Sequence, residues 1–217
     1  MVIYVEGLFV CIEGIDGSGK TTQAKLLIDK IQGSGKKVSL FSYPTHDSRY
    51  GKIIREEFLA GKVDMGIEEQ FLLYLLDMQS DKKNILESVS KGNIVISERY
   101  FISTIAYQSA GSFDYEKAKA VEELMSLPRP DIIFYIDIKP EIAFERKKKQ
   151  KGKTDRFESA KDYMNKVYNV YEKLYSERYG SKTWIRIDGS KSEQEISNFI
   201  FSAIDNYISE DKQKNLE

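Results

Sequence analysis

The sequence is poor in the features that mark secreted, membrane-spanning or nucleic-acid-binding chains. Its single cysteine, Cys11, excludes an intramolecular disulfide framework and is expected to be a buried core thiol. No apolar run approaches the ~20 residues that span a bilayer. The 33 Lys and Arg residues balance 34 Asp and Glu residues, so no overall charge favours nucleic acid or a membrane surface. We therefore expect a cytoplasmic protein with no nucleic-acid or membrane partner, which holds any anionic ligand by local positive charge.

Length and composition fit one α/β domain. With 217 residues, of which 41% are hydrophobic, the chain can bury a sizeable core. Short β-branched runs alternate with longer helical patterns, which predicts a parallel sheet flanked by helices. We expect a single domain over residues 1–208 and a frayed polar tail over residues 209–217.

Periodicity places the individual elements. Strands are expected at Leu8–Glu13, Lys37–Tyr43, Asn93–Ser97, Asp131–Asp137 and Thr183–Asp188. Helices are expected at Lys20–Ile31, Glu68–Ser90, Tyr115–Leu127, Pro140–Lys149, Tyr163–Tyr179 and Ser192–Ile208, because apolar residues recur there at helical spacing. Several strands are apolar nearly throughout, as in a parallel sheet that is covered on both faces.

A glycine-rich segment between the first strand and the first helix fits a phosphate loop. Residues 14–21 read GIDGSGKT and match G-x-x-x-x-G-K-[ST] at every fixed position. Its glycines let backbone N–H groups face phosphate oxygens, and the helix N-terminus adds partial positive charge. Lys20 can reach the β- and γ-phosphates, and the Thr21 hydroxyl can coordinate Mg²⁺. The motif predicts a nucleoside triphosphate site but does not separate a kinase from a switch or a motor.

Four segments of the chain form an ordered set of motifs. They are Ile12–Gln23, then Tyr43-Pro44-Thr45, then Ser97-Glu98-Arg99-Tyr100 with Ser103 and Ala106-Tyr107-Gln108, and finally Asp137, Pro140-Glu141, Arg146 and Asp155-Arg156-Phe157-Glu158. Together they resemble the thymidylate kinases, a family of P-loop nucleoside monophosphate kinases. The resemblance covers nearly the whole chain. It implies a three-layer α/β fold with a five-stranded parallel sheet, phosphoryl transfer from ATP and Mg²⁺ to dTMP, and a homodimer.

The resemblance also implies where the donor binds. Its implied contacts are Gly14, Asp16, Gly17, Ser18, Gly19, Lys20, Thr21 and Thr22. Glu98 ends an apolar strand beside the loop, where it would help to hold the metal unless it is a surface carboxylate paired with Arg99. Arg99 itself can clamp phosphate, or form an ion pair with a neighbouring helix. Asp16 would face the metal or the acceptor, or else shape the loop as an Asx turn.

A basic segment, residues 146–158, is expected to close as a lid over the donor phosphates. The resemblance matches Arg146 and Arg156 to lid arginines. Gly17 takes the place of an Arg that some relatives carry in the loop, so the lid should supply the catalytic cation. Lys149, Lys151 and Lys153 are all candidates for that cation. The alternative for the whole segment is a solvated helix end or a weak RNA-binding patch.

The acceptor pocket is expected beside the second strand and the long middle helix. Implied contacts are Tyr43, Pro44, Tyr74, Arg99, Tyr100, Tyr107 and Gln108, with Tyr74 as the platform for the base unless it is a core residue. Arg49 or Arg55 could reach the acceptor phosphate. Met78 and Gln79 stand where the family has a base-contacting Arg, which leaves the preference for thymine over uracil open.

Other functions compete with thymidylate kinase at this point. Another pyrimidine monophosphate kinase would accept dUMP. A deoxynucleoside kinase would need a base, Glu13 or Glu98, to deprotonate a sugar hydroxyl. A regulatory P-loop NTPase would hydrolyse its triphosphate without any small-molecule acceptor.

Overall fold

The computed structural model describes residues 7–151 and 157–214, in which five parallel strands form one sheet. The strands are β1 (Leu8–Glu13), β2 (Val38–Ser42), β3 (Ile94–Glu98), β4 (Ile132–Asp137) and β5 (Thr183–Asp188). The helices are α1 (Lys20–Gly33), α2 (Arg49–Lys52), which continues as a π-helical segment (Ile53–Phe58), α3 (Ile67–Ser90), α4 (Phe101–Ala110), α5 (Tyr115–Met125), α6 (Pro140–Lys151), α7 (Phe157–Ser176) and α8 (Glu193–Lys214).

The sheet lies between two layers of helices. Its strand order is β2-β3-β1-β4-β5, with Leu8 of β1 opposite Ile94 of β3. Because successive side chains of a strand point to opposite faces, Val10 packs with α1 and α8, whereas Cys11 packs with α3, α4 and α7. The expected three-layer α/β fold is confirmed, and Cys11 is a buried thiol as predicted. No helix in the described residues is long and apolar enough to cross a membrane.

Helix α4 was not expected from periodicity, although its residues were picked out as a motif. Nearly all of its side chains are buried, including polar ones such as Ser103, Thr104 and Gln108. A helix that is buried on every side shows no alternation between apolar and polar positions, so the usual signal is missing. The short α2 and its π-helical extension were missed as well.

Several helix ends differ from the expected ones, among them the C-terminal ends of α1, α6 and α7 at Gly33, Lys151 and Ser176. Helix α5 stops at Met125 because Ser126 adopts a left-handed conformation, with φ of 49°. Helix α7 begins at Phe157 rather than at Tyr163. Helix α8 continues to Lys214, past the expected end at Ile208. The rest of the expected tail, residues 215–217, lies outside the described residues.

Candidate active site

The loop between β1 and α1 is shaped so that only glycine fits at its centre. Gly17 has φ of 86°, and a Cβ atom added there would lie 2.5 Å from Ala143 O of α6. The loop therefore packs directly against the backbone of α6. Ser18 Oγ is buried in the loop with no hydrogen-bond partner among the described residues, as expected at a site built to receive a ligand.

Lys20 is buried at the start of α1, and its ammonium group is held by the loop itself. Its Nζ donates to Gly14 O and to Ile15 O, both at 2.8 Å. Burial lowers the pKa of Lys20 to about 7, and nearby Arg99 acts in the same direction, while carboxylates around it oppose the shift. Phosphate oxygens can replace the two carbonyl groups as partners, and their charge would restore the protonated form.

Three oxygen-bearing side chains meet at the carboxyl end of β3, next to the loop. Thr21 Oγ1 donates to Glu98 Oε1, and Ser42 Oγ at the end of β2 donates to Glu98 Oε2 at 3.0 Å. The described residues contain no group of three or more His, Cys, Asp or Glu side chains that could hold a metal. The Thr21 hydroxyl and the Glu98 carboxylate are the kind of oxygen ligand that Mg²⁺ takes from a protein, with its remaining ligands supplied by phosphates and water.

Glu13 is buried at the end of β1 and is fully engaged by other parts of the chain. It accepts hydrogen bonds from Tyr100 N at 2.7 Å, Ser103 Oγ at 2.6 Å and Tyr171 OH at 2.8 Å. Burial raises the pKa of the Glu13 carboxyl, although the two hydroxyl donors oppose that shift. The carboxyl group thus ties the phosphate-loop strand to α4 and α7.

Arg99 and Asp16 form the electrostatic centre of the site. Arg99 has φ of 63°, a left-handed conformation that is unusual for a residue with a side chain, and it directs its guanidinium to Asp16. Lys147 of α6 also pairs with Asp16, at 2.6 Å from Nζ to Oδ2. Burial disfavours the charged Asp16 carboxylate, but Arg99, Lys20 and Lys147 outweigh it and hold the pKa of Asp16 well below its usual range.

A cavity of about 370 Å³ opens beside this charged centre. It is lined by Asp16, Tyr43, Pro44, Phe58, Leu59, Gln70, Tyr74, Met78, Arg99, Tyr100, Ser103, Thr104, Tyr107, Gln108 and Tyr163. One end carries the Arg99–Asp16 pair, and much of the remaining lining is apolar or aromatic. Tyr107 OH donates to Asp16 Oδ1 at 2.8 Å, and burial raises the pKa of Tyr74 to about 12. Such a cavity suits a small molecule with an anionic end and a flat apolar end.

The loop after β2 is held against α3 by a buried carboxylate. Asp77 accepts hydrogen bonds from Thr45 N at 2.8 Å and from Thr45 Oγ1 at 2.6 Å. These bonds place Tyr43 and Pro44 in the cavity wall. Of the two arginines considered for the acceptor phosphate, Arg49 is exposed and absent from the lining, and Arg55 donates to Pro44 O at 2.7 Å through its Nε atom.

Only part of the expected lid lies within the described residues. Helix α6 includes Arg146, which is half-buried, and Lys147, which reaches the phosphate loop. The side chains of Lys149 and Lys151, and all of Lys153 and Arg156, lie outside them.

Comparison with known proteins gives the family. A sequence model of thymidylate kinases matches residues 12–200. The chain belongs to the thymidylate kinase family. It is 37% identical to the thymidylate kinase of Leptospira interrogans over 87% of this chain and 89% of that protein. It is also 34% identical to the probable thymidylate kinase of Archaeoglobus fulgidus, over 96% and 100%, and 31% identical to the thymidylate kinase of Schizosaccharomyces pombe, over 92% of each.

Family membership confirms the resemblance and the expected class of enzyme, a nucleoside monophosphate kinase. The structure brings the phosphate loop, Glu98 and Arg99 together with the implied acceptor contacts Tyr43, Pro44, Tyr74, Tyr100, Tyr107 and Gln108, which line one cavity. Several residues of the site were not expected from the sequence of this thymidylate kinase family member. Phe58, Leu59, Gln70, Thr104 and Tyr163 line the cavity, Ser42 contacts Glu98, and Lys147 contacts Asp16. Only Lys147 gave a usable signal, since it belongs to the basic segment.

Proposed function

We propose that the chain transfers the γ-phosphoryl group of ATP to dTMP, giving ADP and dTDP. The observation that carries this proposal is that one carboxylate and one arginine, Asp16 and Arg99, belong both to the phosphate loop region and to the wall of the 370 Å³ cavity. A triphosphate in the loop and a monophosphate in the cavity would therefore bring their phosphates to the same charged centre.

The donor half of the site consists of the loop amides, Lys20 and the lid. Gly14, Gly17, Ser18, Gly19, Thr21 and Thr22 would surround the phosphates, with Arg146 and Arg156 approaching from the lid over residues 146–158. Thr21 and Glu98 would hold Mg²⁺, since their oxygens already meet. When bound, the metal ion neutralises charge on the donor phosphates.

The acceptor half is the cavity. The base would lie against Tyr74, with Gln108 at its edge, and the sugar would lie near Tyr107 and Asp16. The acceptor phosphate would face Arg99, whose planar guanidinium can bind two oxygens at once.

The reaction needs no general base, because the acceptor phosphate is already an anion. One of its oxygens forms a bond to the γ-phosphorus, the bond from that phosphorus to the β,γ-bridging oxygen breaks, and ADP leaves with that electron pair. Positioning and charge neutralisation supply the catalysis. A deoxynucleoside kinase, in contrast, would need Glu13 or Glu98 as a free base. Glu13 accepts hydrogen bonds from Tyr100 N, Ser103 Oγ and Tyr171 OH, and Glu98 accepts them from Thr21 and Ser42, which favours the monophosphate as acceptor.

The deciding assay measures ADP release from ATP and Mg²⁺ with dTMP, dUMP, dCMP, dGMP, UMP or thymidine offered in turn. The highest kcat/KM is expected with dTMP. Turnover with thymidine but not with dTMP would instead identify a nucleoside kinase, and triphosphate hydrolysis that ignores every acceptor would identify a regulatory NTPase. Omitting Mg²⁺ should abolish turnover.

We also include a homodimer in this proposal. Leu72, Leu76 and Leu86 are large apolar side chains exposed on α3, and they form a stripe suited to a second copy. Sedimentation of the protein should give about twice the chain mass, and Leu76→Glu should shift it toward the monomer. A single kinase domain over residues 1–208 and a cytoplasmic location, where the soluble nucleotides are, complete the proposal.

A further inference from the structure

Helix α6 runs directly over the phosphate loop. Ala143 O and the side chain of Lys147 both lie against Gly17, and a Cβ atom added to that glycine would be 2.5 Å from the former and 3.2 Å from Cγ of the latter. The space beside the centre of the loop is thus occupied by the aliphatic part of a lysine from another element. The side chain crosses the loop and ends at Asp16.

The side chain of Lys147 is more exposed than that of Lys20, the other lysine at the phosphate loop. Lys20 is buried and donates to two carbonyl groups of its own loop. Lys147 has 35% of its side chain exposed and makes one ion pair, at 2.6 Å to Asp16 Oδ2. Arg99 binds the other oxygen of the same carboxylate, from the side of the acceptor cavity. Asp16 therefore holds one cation on each of its two carboxylate oxygens.

A purely stabilising role explains this arrangement poorly. A partly exposed ion pair contributes only about 0–1 kcal/mol to folding. In contrast, a cation placed beforehand where negative charge passes from one phosphate to another lowers the barrier substantially, because it does not have to reorganise during the reaction.

We propose that Lys147 is a catalytic residue, whose ammonium group binds the phosphoryl group during transfer, and that Asp16 is the positioning residue that keeps it at the loop. The assignment rests on the proposed function. In the step itself, an oxygen of the acceptor phosphate bonds to the γ-phosphorus and the bridging P–O bond breaks toward ADP. Lys147 neutralises charge on the transferred oxygens and keeps all of its protons.

The test compares Lys147→Met and Lys147→Arg with a matched control, Lys161→Met. Lys161 is an exposed lysine that pairs with Glu141 of the same helix α6, at 3.7 Å, and so controls for the loss of one lysine and one ion pair. Lys147→Met should lower kcat on the order of 100-fold while KM for dTMP changes less than about threefold. Lys147→Arg should recover part of kcat, and Lys161→Met should match the wild type. All three should unfold within about 4 °C of the wild type.

A double-variant cycle tests the role of Asp16. Asp16→Asn should also lower kcat, and adding Lys147→Met to it should lower kcat further by much less than Lys147→Met does in the wild type, because Lys147 has then already lost the carboxylate that holds it. Any part of the Asp16→Asn effect that acts through Arg99 is common to the single and the double variant and cancels in this comparison. Full multiplication of the effects would overturn the positioning role.

The outcomes separate this inference from the function on which it rests. If Lys147→Met keeps kcat within about threefold of the wild type with dTMP, Lys147 is not catalytic, while the proposed function stands. If the wild-type protein phosphorylates a different acceptor, the same comparison is made with that acceptor and decides the role of Lys147. If no acceptor is phosphorylated, both proposals fail together.

Discussion

Because Arg99 has a left-handed backbone conformation, the energetic cost of that conformation can be measured separately from the contribution of its guanidinium group to catalysis. A residue with a side chain in this conformation, here with φ of 63°, costs roughly 1–2 kcal/mol. The surrounding structure imposes it: Arg99 N donates to Ile12 O at 3.1 Å, and Tyr100 N donates to Glu13 at 2.7 Å. The strain aims the guanidinium at Asp16 and at the ring of Tyr107, 5.5 Å from its centroid.

Arg99→Gly and Arg99→Ala form a matched pair. Both remove the same guanidinium and leave Asp16 with the same remaining partners, so a difference in stability between them reports the backbone. Glycine relieves roughly 1–2 kcal/mol of strain but loses roughly 0.4–1 kcal/mol through the greater freedom of the unfolded chain. At the middle of each range the net advantage is about 0.8 kcal/mol, which should raise the melting temperature of Arg99→Gly above that of Arg99→Ala by about 2–3 °C.

The assay is thermal unfolding of both variants without nucleotide, combined with turnover of dTMP. Both variants should lose at least about 100-fold in kcat/KM, since each lacks the charge-assisted contact to phosphate. An Arg99→Ala protein that is as stable as Arg99→Gly would refute the strain argument. Near-normal turnover in either variant would refute the assignment of Arg99 to the acceptor phosphate.

Four other predictions concern Lys20, Glu13 and Met78. Lys20→Ala should abolish turnover, and wild-type rates in that variant would contradict the assignment of residues 14–21 as the phosphate loop of the donor site. Burial lowers the pKa of Lys20 to about 7, so the unfolded chain binds more protons than the folded one between about pH 7 and pH 10. The free energy of unfolding of the ligand-free protein should therefore rise across that window. Urea titrations should show a smaller rise in Lys20→Met. Glu13→Ala leaves Tyr100 N and one of the two hydroxyl donors of Ser103 and Tyr171 without an acceptor, since those two hydroxyls can keep the hydrogen bond of 2.8 Å between them. The variant should reduce the free energy of unfolding by about 3 kcal/mol in the same titrations, whereas a loss below about 1 kcal/mol would contradict the anchoring role of Glu13. Met78→Ala removes part of the apolar wall and enlarges the cavity, so it should raise KM for dTMP several-fold without changing KM for ATP. Equal shifts in both constants would argue against a base-binding wall.

Features that depend on neighbouring residues could be predicted from the sequence. The phosphate loop is such a feature, because its glycine spacing, its lysine and its flanking strand and helix all lie within one short segment. All five strands were placed within a residue or so of their observed bounds, since the buried strands of a parallel sheet are nearly continuous apolar runs. The family motifs also include many of the residues that line the 370 Å³ cavity.

Other features depend on which distant segments the fold brings together, and these only the tertiary structure decided. From the sequence alone, Glu13 could equally be a catalytic base. In the structure, Tyr171 and Ser103 donate hydrogen bonds to its carboxyl group. The basic segment offers several lysines at similar spacing, and no periodicity singles out Lys147. The packing of α6 against Gly17 does so, because the close approach of two backbones fixes which side chain crosses the loop. Sequence patterns report local conformation, whereas the pairing of charges across the site depends on how the helices pack on the sheet.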